Sequence, residues 1–153
     1  VHEPYATTGE NGLLIYPPDE LTRRVVTASD AGFRVVVHAI GDRAVDVVLD
    51  AFEATGRPSA HRMEHAMILS DARIDRIARL GVPVSMQPEF LSAFRRTYVR
   101  QLGEARADRL VRVRSLLDAG VTVTFSSDRP IVPGDPRTGV AAAVNHPSPS
   151  ERI

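Results

Sequence analysis

The sequence predicts an α/β protein whose strands run parallel with helices packed outside them. Three observations lead there. Short β-branched runs alternate strictly with amphipathic helical stretches, the connections between them are short, and the order is α-β-α-β-α-β-(loop)-α-β-α. No Gly-x-Gly-x-x-Gly and no Walker-type lysine loop accompanies this order, which sets aside the nucleotide-binding version of the architecture.

Residues 1–17 read as an irregular lead-in rich in turn formers. Pro18 and Asp19 open a helix with Leu21, Val25, Val26 and Ala28 at helical spacing, closed by Gly32. Residues 34–39, "RVVVHA", form a strand. A helix from Asp42 to about Thr55 puts Ala44, Val45, Val48, Leu49 and Phe52 on one face, and Gly56 and Pro58 end it. Asp42 and Arg43 are expected to serve as its cap and a surface ion pair. The plan then repeats. Strand "RMEHAMI" precedes a helix capped by Ser70 or Asp71, with Ile74, Ile77, Ala78 and Leu80 inward, and strand "VPVSMQP" follows. Residues 89–105 have a mixed pattern that predicts a loop with partial helix. "ADRLVRVRSLLDAG" predicts one helix, "VTVTFSS" a strand, and "PRTGVAAAVN" a last short helix. The arginines between Phe94 and Arg114 are expected to form mainly a solvated helix face.

At 153 residues the chain is one domain's worth, and residues 1–153 are treated as a single domain. With 43% hydrophobic and 25% charged residues it has the composition of a folded protein. Basic and acidic residues balance at 19 each, which gives no reason to expect nucleic acid or an anionic membrane as partner. All the basic residues are arginine. The absence of cysteine excludes disulfides, Cys-zinc sites and a thiol nucleophile, and it suits a cytoplasmic location. No apolar run approaches the roughly 20 residues that span a bilayer. The chain opens at Val1 and stops at a polar "NHPSPSERI", so both ends read as cut.

In a parallel α/β fold, functional groups gather at the carboxyl ends of strands. His38 lies near the end of the first strand, His65 near the end of the second, and Asp128 just past the last. Alternation puts Val36 and His38 on one face. It likewise pairs Met63 with His65, against Arg62 and Glu64, so that both histidines behave as interior residues. Two imidazoles and a carboxylate at one rim suit a divalent metal, most naturally zinc, bound at about 2.0–2.2 Å. Such an ion lowers the pKa of bound water toward about 7. Blander readings stand beside this one. A histidine at a strand end often makes only structural hydrogen bonds, and Asp128 in "SSDRP" also suits a helix cap. Glu64 faces outward or pairs with Arg62. His61 reads as structural, and His2 and His146 carry no argument. Gln87 and the "QPEFLSAF" loop are expected to line a substrate pocket.

"HAIGDRAVDVVLDAFE", "HRMEHAMILSDARIDRIARLGVPVSMQPEFL" and "SSDRPIVPGDPRTGVAAAV" resemble consecutive motifs of the metal-dependent amidohydrolases, in particular amidohydrolase family 3, the set that includes N-substituted formamide deformylase. The lead-in resembles that group too. The resemblance implies a partial (β/α)8 TIM barrel, about strands 5–8 with their helices. It implies metal ligation by His38 on the fifth strand and His65 on the sixth. Asp128, after the eighth, would touch the metal and act as general base and then general acid. It implies one or two divalent ions, zinc in type. The family's His-x-His of the first strand and the bridging residue of the fourth are absent here, so a chain of this length would bind metal weakly and be inactive alone.

The leading expectation is therefore a metal-dependent hydrolase of non-peptide C–N bonds in an amide, formamide or cyclic imide, with a small-molecule substrate. The alternative is a non-catalytic α/β module that binds a small ligand or a complementary half-barrel, since an open barrel edge favours assembly. Self-association into a homo-oligomer is open in either case. A flavodoxin-like binding domain is disfavoured by the clustered histidines and the missing phosphate loop.

Overall fold

A computed structural model describes residues 1–153. Helix α1 (Pro18–Asp30) leads into strand β1 (Val36–Ala39) and helix α2 (Asp42–Glu53). Strand β2 (Arg62–His65), helix α3 (Asp71–Leu80) and strand β3 (Val84–Met86) follow. Then come α4 (Glu89–Leu102), α5 (Glu104–Ala107), α6 (Val113–Asp118), β4 (Val123–Phe125) and α7 (Pro136–Val144). The strands form one four-stranded sheet in chain order, every pair parallel. No helix is long and apolar enough to cross a membrane.

Local sequence explains most boundaries. Ser70 caps α3 by accepting the Arg73 N–H, and Gly81 closes it at φ 64°. Of the two candidates for that cap, Ser70 is the one used. α2 buries Val45, Val48, Leu49, Ala51 and Phe52, the i, i+3, i+4 stripe of a core-facing helix. Its cap is Gly41, not Asp42. The Asp42 carboxylate accepts the backbone N–H groups of His2 and Arg43 at 2.8 and 2.9 Å. Its ionic neighbour is Arg73 at 4.0 Å, so the expected pairing with the Arg43 side chain is replaced by a cross-helix one.

Two element expectations are corrected. Residues 89–102 are fully helical, because α4 is half-embedded: Phe90, Leu91 and Leu102 are buried, while Phe94 and Tyr98 pack on the core from one side. This half-embedding gives its mixed pattern. The single helix expected over residues 107–120 is interrupted. Leu110 pairs with Ile68 in an isolated antiparallel bridge, and Val111, at φ 53°, donates its N–H to Met67 O at 3.0 Å. Those two residues serve the chain beyond β2 instead of continuing a helix. Every strand is also shorter than the stretch expected for it.

One apolar cluster of 25 buried residues fills the space between sheet and helices, with Ala39, Met63, Val84 and Met86 as its sheet side. His61 is 1% exposed beneath it, accepting the Val35 N–H at 3.2 Å and lying against Phe52.

The tail is held by buried polar groups. Arg112, expected on a solvated face, is 9% exposed and donates to Glu151 at 2.8 Å, Asp71 at 2.5 Å and Ser115 at 2.9 Å. Glu151 also accepts the Ser115 hydroxyl and N–H, at 2.5 and 3.1 Å. His146, which carried no argument in the sequence, is 1% exposed and donates from Nε2 to Leu110 O at 2.8 Å.

Burial pushes the Glu151 carboxyl up, but Ser115 and Arg112 overcome it and hold the group below the usual carboxylate range. A depressed folded pKa stabilises the fold above the ordinary unfolded value of about 4.3, and that stabilisation disappears as pH falls through the lowered value. Urea midpoints of wild type and Glu151→Gln should therefore differ most near neutrality and converge on acidification. A gap independent of pH would contradict this account of the tail.

Candidate metal centre

Parallel pairing in chain order puts the carboxyl ends of all four strands on one edge. His38 is the third residue of β1, His65 the last of β2, Gln87 follows β3, and Ser126 to Asp128 follow β4. Register decides which faces they occupy. His38 pairs with Glu64, and Ala39 with His65. Residues paired this way share a face, so His38, Glu64 and Val36 lie on the open side, while Ala39 and Met63, both fully buried, lie against the helices. By the same register His65 shares the buried face of Met63 and Ala39, as alternation predicts, and the expected interior face common to both histidines is not what the strands give.

His65 reaches His38 by a different device. Its φ is 73° and that of Ala66 is 45°, so the backbone turns left-handed where the strand ends. The turn sets the two imidazoles edge to face, with ring centroids 4.4 Å apart and planes at 72°. A left-handed non-glycine residue costs about 1–2 kcal/mol. Two in succession are retained only where the surroundings fix them. Arg62 and Glu64 pair at 2.6 Å on the open face, in keeping with the alternative read for Glu64.

His65 is 5% exposed, and its Nδ1 meets Gln87 Oε1 at 2.7 Å. Gln87 is 1% exposed, with both ends of its amide engaged inside the protein: its Nε2 donates to Ser126 Oγ at 2.8 Å and more loosely to Ser85 O at 3.4 Å. A carbonyl only accepts, so the Ser85 contact fixes which end of the amide is nitrogen. The oxygen then faces His65, and Nδ1 must carry the proton. The Nε2 of His65 makes no hydrogen bond. Ser85 and Ser126 escaped the sequence reading. Ser85 shares the open face with Glu64, its β2 partner, and with Thr124, its β4 partner. Polar residues on that face of short apolar strands were the available signal.

Burial lowers the His38 pKa first, the neighbouring charge of His65 lowers it further, and Asp128 pulls the other way. The net direction favours the neutral imidazole, the form that ligates metal. Asp128 sits in an exposed turn at φ 52°, with no hydrogen bond to its carboxylate. It caps no helix; Asp135 caps α7 by accepting the Arg137 N–H at 2.9 Å. No group of three or more His, Asp or Glu side chains is arranged to hold a metal ion. Two imidazoles meet, and Asp128 does not complete a set with them. An apolar cavity of about 540 Å³ opens beside His38, bordered by Tyr5, Leu21, Val36 and Ala44.

A parallel sheet with helices outside and histidines on its carboxyl edge is a segment of a (β/α)8 barrel of the metal-dependent hydrolase type. The model described as "Amidohydrolase family" matches residues 1–152, and the chain belongs to that family. It is 33% identical over 155 residues to YtcJ of Bacillus subtilis (strain 168), covering 98% of this chain and 29% of YtcJ. It is 36% identical over 124 residues to N-substituted formamide deformylase of Arthrobacter pascens, covering 78% of this chain and 23% of that protein. A solved metal-dependent hydrolase of Pyrococcus furiosus superposes with TM-score 0.87 at 40% identity, over 99% of this chain and 32% of its own. The chain thus spans about a third or less of the proteins it matches.

The left-handed turn at His65 makes a sign-sensitive prediction. At an ordinary strand position glycine is less stable than alanine by roughly 0.5–1 kcal/mol. At φ 73° the order should invert. His65→Gly should unfold at higher urea than His65→Ala, by about 1 kcal/mol. The ordinary order would show that the turn is not enforced.

Proposed function

We propose that the protein carrying this chain is a metal-dependent hydrolase of non-peptide C–N bonds in small molecules: amides, formamides or cyclic imides. The observation that carries this is the meeting of His38 and His65 at the carboxyl edge of the sheet, one with its pKa lowered and the other with its Nε2 free. Formamide and amide substrates are favoured by the likeness to N-substituted formamide deformylase.

The donor chemistry fits a divalent cation of the zinc type, one ion or two, with His38 and His65 as imidazole ligands and Asp128 as an oxygen donor at its border. Further ligands would come from the part of the relatives' length that this chain does not span, so the chain alone would bind metal weakly and lack activity. Such an ion, when bound, activates water and polarises the substrate carbonyl. The chain's own residues do the rest. The two imidazoles hold their rings at the edge. Asp128, exposed and free of internal hydrogen bonds, takes the proton of the attacking water on its carboxylate and returns it to the leaving nitrogen.

The whole protein should contain zinc or a similar ion by elemental analysis and hydrolyse members of a formamide and amide panel. His38→Ala and His65→Ala should lower metal content. Asp128→Asn should keep metal and lose roughly 10²–10⁴-fold in kcat/KM. Equal hydrolysis by wild type and all three variants would remove the catalytic assignment. A metal-free, inactive whole protein would favour the non-catalytic module.

A further inference from the structure

We infer that Gln87, anchored by Ser126, is a positioning residue that holds His65 in the Nδ1–H tautomer and so leaves the Nε2 lone pair bare on the ring that meets His38. The inference rests on the metal-site reading for its consequence, but its geometry stands independently. Gln87 is 1% exposed and both ends of its amide are already engaged by protein groups, so direct contact with substrate is the weaker role for it. Its oxygen accepts from His65 Nδ1 at 2.7 Å, while its nitrogen is occupied by Ser126 Oγ at 2.8 Å and Ser85 O at 3.4 Å. Each contact constrains the other. The amide cannot rotate its nitrogen toward His65 without facing oxygen to the Ser85 carbonyl.

A free neutral imidazole prefers to carry its proton on Nε2. Here the only acceptor offered to the ring is at Nδ1, so the proton moves there and Nε2 is left bare. Partners of this kind fix ring orientation and raise ligand basicity, and their loss costs 10–100-fold in metal affinity. The same amide also ties two strand ends together. His65 closes β2, and Ser126 follows β4 two positions before Asp128, with its N–H on Met86 O at 2.9 Å. Gln87 thereby sets the spacing between an imidazole and the strand that carries the carboxylate. Phe90, stacked on His65 at 6.4 Å, limits ring motion from the other side.

The test reads the tautomer directly. Side-chain ¹⁵N shifts of the metal-free chain should report His65 as Nδ1–H in wild type. Gln87→Leu, close in volume, should shift it to mainly Nε2–H. Gln87→Glu, which keeps an acceptor at the same place, should retain the Nδ1 proton. In the whole protein, chelator competition should show zinc affinity reduced 10–100-fold by Gln87→Leu, with a smaller loss in Ser126→Ala and recovery toward wild type in Gln87→Glu. Unchanged His65 shifts in Gln87→Leu would overturn the inference, as would zinc affinity in Gln87→Leu equal to that of a zinc-binding wild type. If wild type binds no zinc while the tautomer responds as described, the positioning role holds and the metal reading fails, so the two are separable.

Discussion

Everything at the candidate centre depends on four very short strands pairing in parallel and in chain order. Each contributes only three or four residues, so few hydrogen bonds hold the sheet by themselves. The pairing is fixed instead by what the strands bury on one side, where Ala39, Met63, Val84 and Met86 are fully enclosed by helices. A slip of one residue would exchange that face for Val36, His38, Glu64 and Ser85. It would place charge and imidazole in the core and strand the histidines away from the edge. Core packing and site geometry are thus one constraint. Parallel sheets are normally covered on both faces. Here the second face is open at β1, with Val36 50% exposed and His38 beside it, as expected of a barrel segment seen from its interior.

The register alone would not bring the histidines together, because it assigns them to opposite faces. The left-handed turn at His65 and Ala66 resolves this, and Asp128 sits in a second left-handed position after β4. Three of the four non-glycine residues with positive φ therefore belong to the edge where His38 lies. Strain concentrated where polar groups converge, and held there by buried partners such as Gln87, is the pattern expected of a working site.

Much of this was legible in the sequence. Alternation of β-branched runs with amphipathic stretches gave the α/β order, and strand ends gave the edge on which His38, His65 and Asp128 stand. What was not legible has physical causes. Period-two alternation rightly gave Met63 and His65 one face, but not the means by which His65 reaches His38; nothing local in "MEHA" announces a left-handed histidine. The helix of residues 89–102 was hidden because it is embedded on one side and carries arginines on the other. The break at Leu110 and Val111 is set by Met67 and Ile68, more than forty positions away, and no local propensity encodes it. Gln87 drew notice as a pocket residue, but its tie to His65 depends on side chains from three strands.

The outer layer shows what several of the arginines do. On α3, Arg73 makes two bonds to Asp46, at 2.9 and 2.7 Å, and Arg76 joins Asp50 and Glu53, both at 2.7 Å, so one helix is stitched to α2 at three carboxylates. Arg112 reaches Asp71 at the start of α3 and Glu151 in the tail. A guanidinium offers planar, forked donors to two acceptors at once, which a lysine ammonium does as a point charge without the fork. Exposed pairs of this kind add little stability singly. Their effect here is geometric: successive βα units are kept in order from outside, by contacts that never cross the sheet. The open inner face is consequently left free of structural ion pairing apart from Arg62–Glu64, and the imidazoles stand on it with no salt bridge competing for their nitrogens. A fold braced on its outer side, with its candidate ligands gathered at one inner edge, can exchange the residues of that edge without losing its frame.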